Sequence, residues 1–198
     1  AIATAVAQAV DTFGGIDILI NNASAIQLTS TVETELKRFD LMFGVNVRAT
    51  FACSQACIAH LKNAANPHIL NLAPPLNMQA KWFKDHVAYT MSKYGMSMCT
   101  LGMAEELKAD GIAVNSLWPK TAIATAAITH NFPPQVLQGS RSPAIVADAA
   151  YAILTQPARD CSGNFFIDED VLRAHGIENF DHYALHPGAK LFPDFYID

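Results

Sequence analysis

Apolar residues recur at helical spacing from Ala1 to Phe13 (Ile2, Ala5, Val6, Ala9, Val10), and Gly14-Gly15 ends the pattern. The stretch Ile16 to Ile20, apolar but for Asp17, reads as a short buried strand and closes with Asn21-Asn22-Ala23-Ser24. Helical spacing resumes from about Glu33 to Leu61, in one long or two joined pieces. A second strand is predicted from Pro67 to Leu72, ended by Pro74-Pro75. A loop carrying Trp82 and Phe83 leads into a long helix from about His86 to Lys108, where Gly95 and Gly102 are expected to allow close packing. Asp110-Gly111 turns the chain into a third strand, Ile112 to Leu117, stopped by Pro119. Short helical segments follow near Thr121–Ile128 and Ile145–Leu154, then a last strand at about Asn164–Ile167. The tail from Asp168, rich in Pro, Gly and aromatics, reads as an ordered extension.

Continuous apolar strands alternating with helices predict an α/β fold, a parallel sheet covered on both faces. Such sheets bind ligands beyond the carboxyl ends of their strands. The polar motifs of this chain fall at those ends or on the next helix. The 198 residues suit one domain; with 51% apolar and 16% charged residues, a sizeable core is expected. The net charge of −5, with no run of Lys and Arg, argues against a nucleic-acid partner. No apolar stretch is long enough to span a membrane. Cys53, Cys57, Cys99 and Cys161 lack zinc-knuckle spacing and read as small apolar side chains. His182 and His186 have metal-compatible spacing, but Pro187 follows at once and no Glu lies between them, so no metal site is expected. The chain starts on Ala1 within a helical pattern, which reads as a cut with a segment upstream.

The candidate chemistry centres on Tyr89-Thr90-Met91-Ser92-Lys93. A spacing of four on a helix sets Tyr89 and Lys93 on one face, about 5–6 Å apart at Cβ. A free phenol, with a pKa of ~10, exchanges protons poorly at neutral pH. A neighbouring ammonium favours the phenolate and equips Tyr89 to give or take a proton at a carbonyl or alcohol oxygen. Alone, this spacing is common on ordinary helix surfaces. It is joined by Asn21-Asn22-Ala23 after a strand, by Asn46 in the helical stretch Gly44-Val45-Asn46-Val47, and by Val114-Asn115 with Pro119 at a later strand end. A mid-helix Asn signals a specific hydrogen bond.

In this order, N-N-A, N-V, Y-x-x-x-K and V-N-x-x-x-P across residues 14–125, the chain resembles the short-chain dehydrogenase/reductase family. Likeness extends through Phe13–Ser24, His68–Leu76, Tyr94–Glu106, Leu117–Ala127, Gly163–Asp168 and Pro193-Asp194-Phe195. The resemblance implies a Rossmann-like doubly wound parallel sheet that lacks its first strands and glycine-rich turn. It implies one partial domain over residues 1–198, with a C-terminal extension from about 168 to 198. It implies hydride transfer between NAD(P), NADP ahead of NAD, and a carbonyl or alcohol of apolar or lipid type. Tyr89 would be the general acid/base, Lys93 would lower its pKa and hold the nicotinamide ribose, and Asn46 would support a water-linked proton relay. Asn21 and Ala23 would lie near the coenzyme, and Pro119, Ile123 and Thr125 would line its nicotinamide end.

Two features depart from the family. Ala73 and Pro74 stand where its catalytic serine is expected, with Ser24 and Asn77 as substitutes to consider. The glycine-rich turn that holds the coenzyme pyrophosphate is absent from these residues, so weak coenzyme binding by the chain as written is expected. These departures favour a rival reading, a catalytically silent scaffold that binds a ligand or partner; the retained Tyr89, Lys93 and Asn46 oppose it. Trp82 and Phe83 read as packing residues or a substrate lid. The face of Met91, Met96, Met98 and Met103 reads as core or subunit interface, and the resemblance implies a homodimer or homotetramer through the helices at 46–61 and 88–108. The expected compartment is the cytoplasm, with peroxisome or mitochondrion the alternative in a eukaryote.

Overall fold

The computed structural model describes residues 1–197. Among them, β1 (Ile18–Asn21), β2 (His68–Asn71), β3 (Ala113–Trp118) and β4 (Phe165–Ile167) form one parallel sheet in that order. Asn21 pairs with Asn71, and Asn71 with Ser116, so the carboxyl ends of β1 and β2 are level and β3 runs two residues further, to Trp118. Every residue of β2 and β3 is buried. That explains their continuous apolar reading: both sheet faces are covered.

Successive strand residues face opposite sides. Ile69 and Val114 pack under α1 (Ile2–Phe13), α3 (Ala49–Leu61) and α4 (Val87–Glu106), through Val6, Cys57, Leu61, Met103, Ala104 and Leu107. Leu70 and Leu117 pack under α7 (Ala144–Leu154) and α8 (Asp168–Ala174), through Ile145, Ala149, Ile153, Val171 and Leu172. This is the expected doubly covered α/β architecture. At the β1 edge, Ile18 and Ile20 are 43% and 46% exposed. The four cysteines are free, with Cys57 and Cys161 buried.

The helical stretch from Glu33 to Leu61 is interrupted in a specific way. It comprises α2 (Leu36–Met42), a π-helical segment at Phe43–Arg48, and α3. The wider π turn carries Asn46, fully buried, toward α4. Gly95 of α4 lets the two segments meet, since a Cβ there would fall 2.6 Å from Cγ2 of Val47. Gly102 has open space around it, so close packing is not its role. The methionines also divide. Met96 and Met103 are core, whereas Met91 and Met98 are 43% and 55% exposed.

The predicted helix at 121–128 is corrected. Thr121 and Ile123 are extended, bridged to Pro193 and Arg141, and α5 spans only Ala126–Asn131. Ala122 donates its N–H to Phe192 O and Ala124 donates to Arg141 O. Those bonds to distant segments outcompete a local helix. A short α6 (Pro134–Gln138) follows with Pro134 in its first turn, and α8 begins on three acidic residues. Both are favourable N-terminal signals that a reading by apolar period alone passes over.

Candidate active site

Tyr89 and Lys93 lie in the first turns of α4, beyond the carboxyl ends of β2 and β3. Both are buried, at 6% and 3% exposure, yet both border a cavity of about 650 Å3. Pro119, Ile123 and Thr125 line the same cavity, as does the aliphatic and aromatic wall of Ile26, Leu72, Trp118, Ile128, Phe132 and Val146. The structure therefore brings five of the sequence-selected residues to one cavity. Cavities of this size and apolarity are typical of small-molecule sites.

The remaining candidates sit behind the wall. Asn46 Oδ1 accepts from Ala25 N at 2.7 Å, and its Nδ2 donates to Ala25 O at 2.9 Å and Ser92 Oγ at 2.9 Å. Asn46 thus fastens the loop after β1 to α4, which is the specific hydrogen bonding its mid-helix place announced. Asn21 does not face the cavity. Its Nδ2 donates to Asn71 Oδ1 at 2.8 Å and to Ser54 Oγ at 3.3 Å, tying β1 to β2 and α3. Ala23 is exposed and off the cavity wall; the next-door Asn22 lines it instead. Neither Ser24 nor Asn77 borders the cavity, and Ala73, wholly buried, is not on its wall. Trp82 and Phe83 pack rather than cover the site, with ring centroids 5.8 Å from Tyr196 and 5.4 Å from Tyr94.

Lys93 Nζ donates to Leu72 O at 2.6 Å and to Met96 Sδ at 3.5 Å, and stands 4.9 Å from the centre of the Trp118 ring. These partners bring no full negative charge, and burial pushes the ammonium down to about 7, with Asp194 acting to raise it. Tyr89 is held well above its ordinary value, first by burial and then by Tyr196 and Asp194. Desolvation of the phenolate is the largest influence on Tyr89 in this structure. No hydrogen bond from a described residue falls on the Tyr89 hydroxyl, which leaves it available in the cavity.

Asp194 is the residue the sequence reading passed over. Among the described residues it is the one carboxylate on the cavity wall. Burial, then Asp168, pushes it up to about 7 against hydrogen bonds from Phe195 N and Trp118 and against the charge of Lys93. Its motif, Pro193-Asp194-Phe195, was visible only as a resemblance. No periodicity marks a tail residue that reaches a site through tertiary contacts. Among the described residues no group of three or more His, Cys, Asp and Glu is placed to hold a metal. No described helix is long and apolar enough to cross a membrane.

A parallel sheet wound on both faces, with Tyr89 and Lys93 at its carboxyl edge, defines a class that sequence comparison also finds: residues 1–134 match the short chain dehydrogenase family pattern. The chain belongs to this family of oxidoreductases. Hydroxysteroid dehydrogenase-like protein 2 of Xenopus tropicalis is 58% identical over 197 residues, covering 100% of this chain and 47% of that protein. The Homo sapiens protein of the same name is 56% identical over the same length, again 100% of this chain and 47% of the relative. The chain spans about half the length of the curated relatives it matches. A crystal structure of a putative dehydrogenase from Xanthomonas campestris superposes with a TM-score of 0.95 at 49% identity, covering 100% of this chain and 72% of the other. The angucycline C-6 ketoreductase LanV, solved with bound NADP, gives a TM-score of 0.69 at 25% identity, covering 82% of this chain and 65% of that one.

Proposed function

We propose that this chain provides the nicotinamide end and the substrate cavity of an NAD(P)-dependent oxidoreductase acting on an apolar carbonyl or alcohol, with Tyr89 as general acid/base. The observation that carries the reading is the shared cavity: a buried phenol with an unengaged hydroxyl, a buried lysine one turn away, and an otherwise apolar wall. Family membership and the NADP-bound relative support the coenzyme class, with NADP ahead of NAD.

Lys93, Asn22, Pro119, Ile123 and Thr125 would hold the nicotinamide end, a fit supported by the polar Lys93, Asn22 and Thr125 within a largely apolar lining. The coenzyme, when bound, supplies the hydride. Tyr89 meets the substrate oxygen. Its raised pKa keeps it protonated at neutral pH, the form that donates to a carbonyl oxygen during reduction. Asn46 supports the reaction by fixing the loop at Ala25 and the helix at Ser92, and a water-linked relay through it remains part of the proposal. The apolar wall, with Phe132 and Val146, selects hydrophobic and lipid-type substrates. Phe51, Met91, Met98 and Leu101, each at least 43% exposed on α3 and α4, are the surface for a homodimer or homotetramer.

A screen of aliphatic and steroid-type carbonyls with NADPH and NADH tests the reading. Turnover on apolar ketones or aldehydes is expected; coenzyme binding without turnover on any of them overturns it. A second reading, a silent ligand-binding scaffold, draws on Ala73, which places a methyl group where the family serine is expected. That screen also separates the two.

A further inference from the structure

The last described residues form a strap that re-enters the site. Phe192 donates its N–H to Gly139 O, Pro193 bridges Thr121, and Asp194 donates its N–H to Lys120 O. The strap thus runs along the segment that leaves β3. Trp118 Nε1 donates to Phe195 O at 2.9 Å. Tyr196, 2% exposed, is wedged among Trp82, Tyr94 and Trp118, with its hydroxyl 3.2 Å from Thr90 Oγ1. Its φ of 71° is a left-handed conformation that a bulky residue holds only when its surroundings enforce it. Gly139 is required beneath the strap, because a Cβ there would fall against the Lys190 carbonyl oxygen and the Phe192 ring. All of these contacts fix Asp194. Its Oδ1 accepts from Phe195 N at 2.7 Å.

Lys93 presents the complementary need. It is nearly fully buried, bonded to a carbonyl and a thioether, and in direct ion-pair contact with no described carboxylate. A buried ammonium without an opposing charge gives up its proton. We propose that Asp194 is a positioning residue that supplies the counter-charge for Lys93 across the cavity, so that the C-terminal strap is a working part of the site. This rests on the reading of Lys93 as the partner of Tyr89.

The other titratable groups around the pair are Tyr89 on α4, Tyr196 on the strap and Asp168 at the start of α8. The phenols stay neutral at pH 7, since both are raised. Asp168 acts on Asp194, not on Lys93. Asp194 is therefore the described carboxylate that shares the cavity wall with Lys93.

The test is a heteronuclear NMR titration of the Lys93 side chain in the wild type, Asp194→Asn, Asp194→Glu and Gly139→Ala. Asp194→Asn is expected to lower the Lys93 midpoint by about one pH unit, the low end of what an opposite charge does. Asp194→Glu should restore most of it. Gly139→Ala keeps every titrating group in the chain but displaces the strap, and should shift the midpoint. An unchanged Lys93 midpoint in Asp194→Asn, or in Gly139→Ala, would overturn the proposal. The readout needs no turnover, so a failure of the oxidoreductase reading leaves it intact and distinguishable.

Discussion

Asn46 Nδ2 donates to Ser92 Oγ at 2.9 Å, and Ser92 Oγ donates to Tyr89 O at 2.8 Å. A short polar chain thus runs from the π-helical segment to the helix that carries Tyr89 and Lys93. Asn46→Ala would leave the N–H and C=O of Ala25 without their partner, at a cost of ~1–3 kcal/mol per buried group. Thermal denaturation should show a clear loss of stability. The loop bearing Ile26, part of the cavity wall, should loosen with it and raise KM.

Lys93→Met separates stability from function. In the folded chain Lys93 releases its proton near pH 7, whereas the unfolded side chain keeps it to about 10.4. Between those values the unfolded state binds more protons, so this group makes stability rise with pH. The wild-type advantage over Lys93→Met should therefore grow from pH 7 to pH 9 by on the order of 1–2 kcal/mol in denaturant melts. A constant difference would show that Lys93 is fully charged in the fold.

Ala73→Ser is expected to leave turnover within about tenfold of wild type. Loss of one preorganised donor typically costs ~10²–10³ in rate, but Ala73 is wholly buried and off the cavity wall. A hydroxyl there has no path to the substrate oxygen. A rise of a hundredfold in kcat would place Ala73 at the reacting atoms.

Glu169 closes the carboxyl end of β4. Burial acts to raise its pKa, but hydrogen bonds from Arg141, Arg173 and Lys120 outweigh it and hold the carboxylate down at about 2. With a folded value below the unfolded ~4.3, it stabilises above pH 4.3, and that contribution is lost as pH falls toward 2. Glu169→Gln leaves Arg141, 6% exposed, without its counter-ion, and should cost about 3–5 kcal/mol at neutral pH. Acid titration of stability from pH 5 to 2 should be flatter in the variant.

The sheet and its flanking helices were legible because β2 and β3 are buried on both sides and their helices keep one apolar face. Tyr89, Lys93, Pro119, Ile123 and Thr125 were legible because local order along the chain puts them at strand ends. Residues 121–123 were misread as helical because their hydrogen bonds go to Phe192 and Arg141, far away in sequence. Asn21 lies off the cavity wall because neighbouring residues at a strand end face opposite ways, and its side chain turns to Asn71. Asp194 left no local signal at all. Its position is set by the docking of Tyr196 and the absence of a side chain at Gly139.

The central claim is that Tyr89 moves the proton in a coenzyme-linked carbonyl–alcohol reaction. Tyr89→Phe removes one oxygen and keeps the ring that packs in the core. Its kcat should be measured in the full-length protein beside wild type, with coenzyme affinity followed separately by fluorescence. A loss of about 10²–10⁴-fold in kcat with coenzyme affinity retained is the predicted result. Turnover unchanged in Tyr89→Phe would contradict the account and assign the proton to another group.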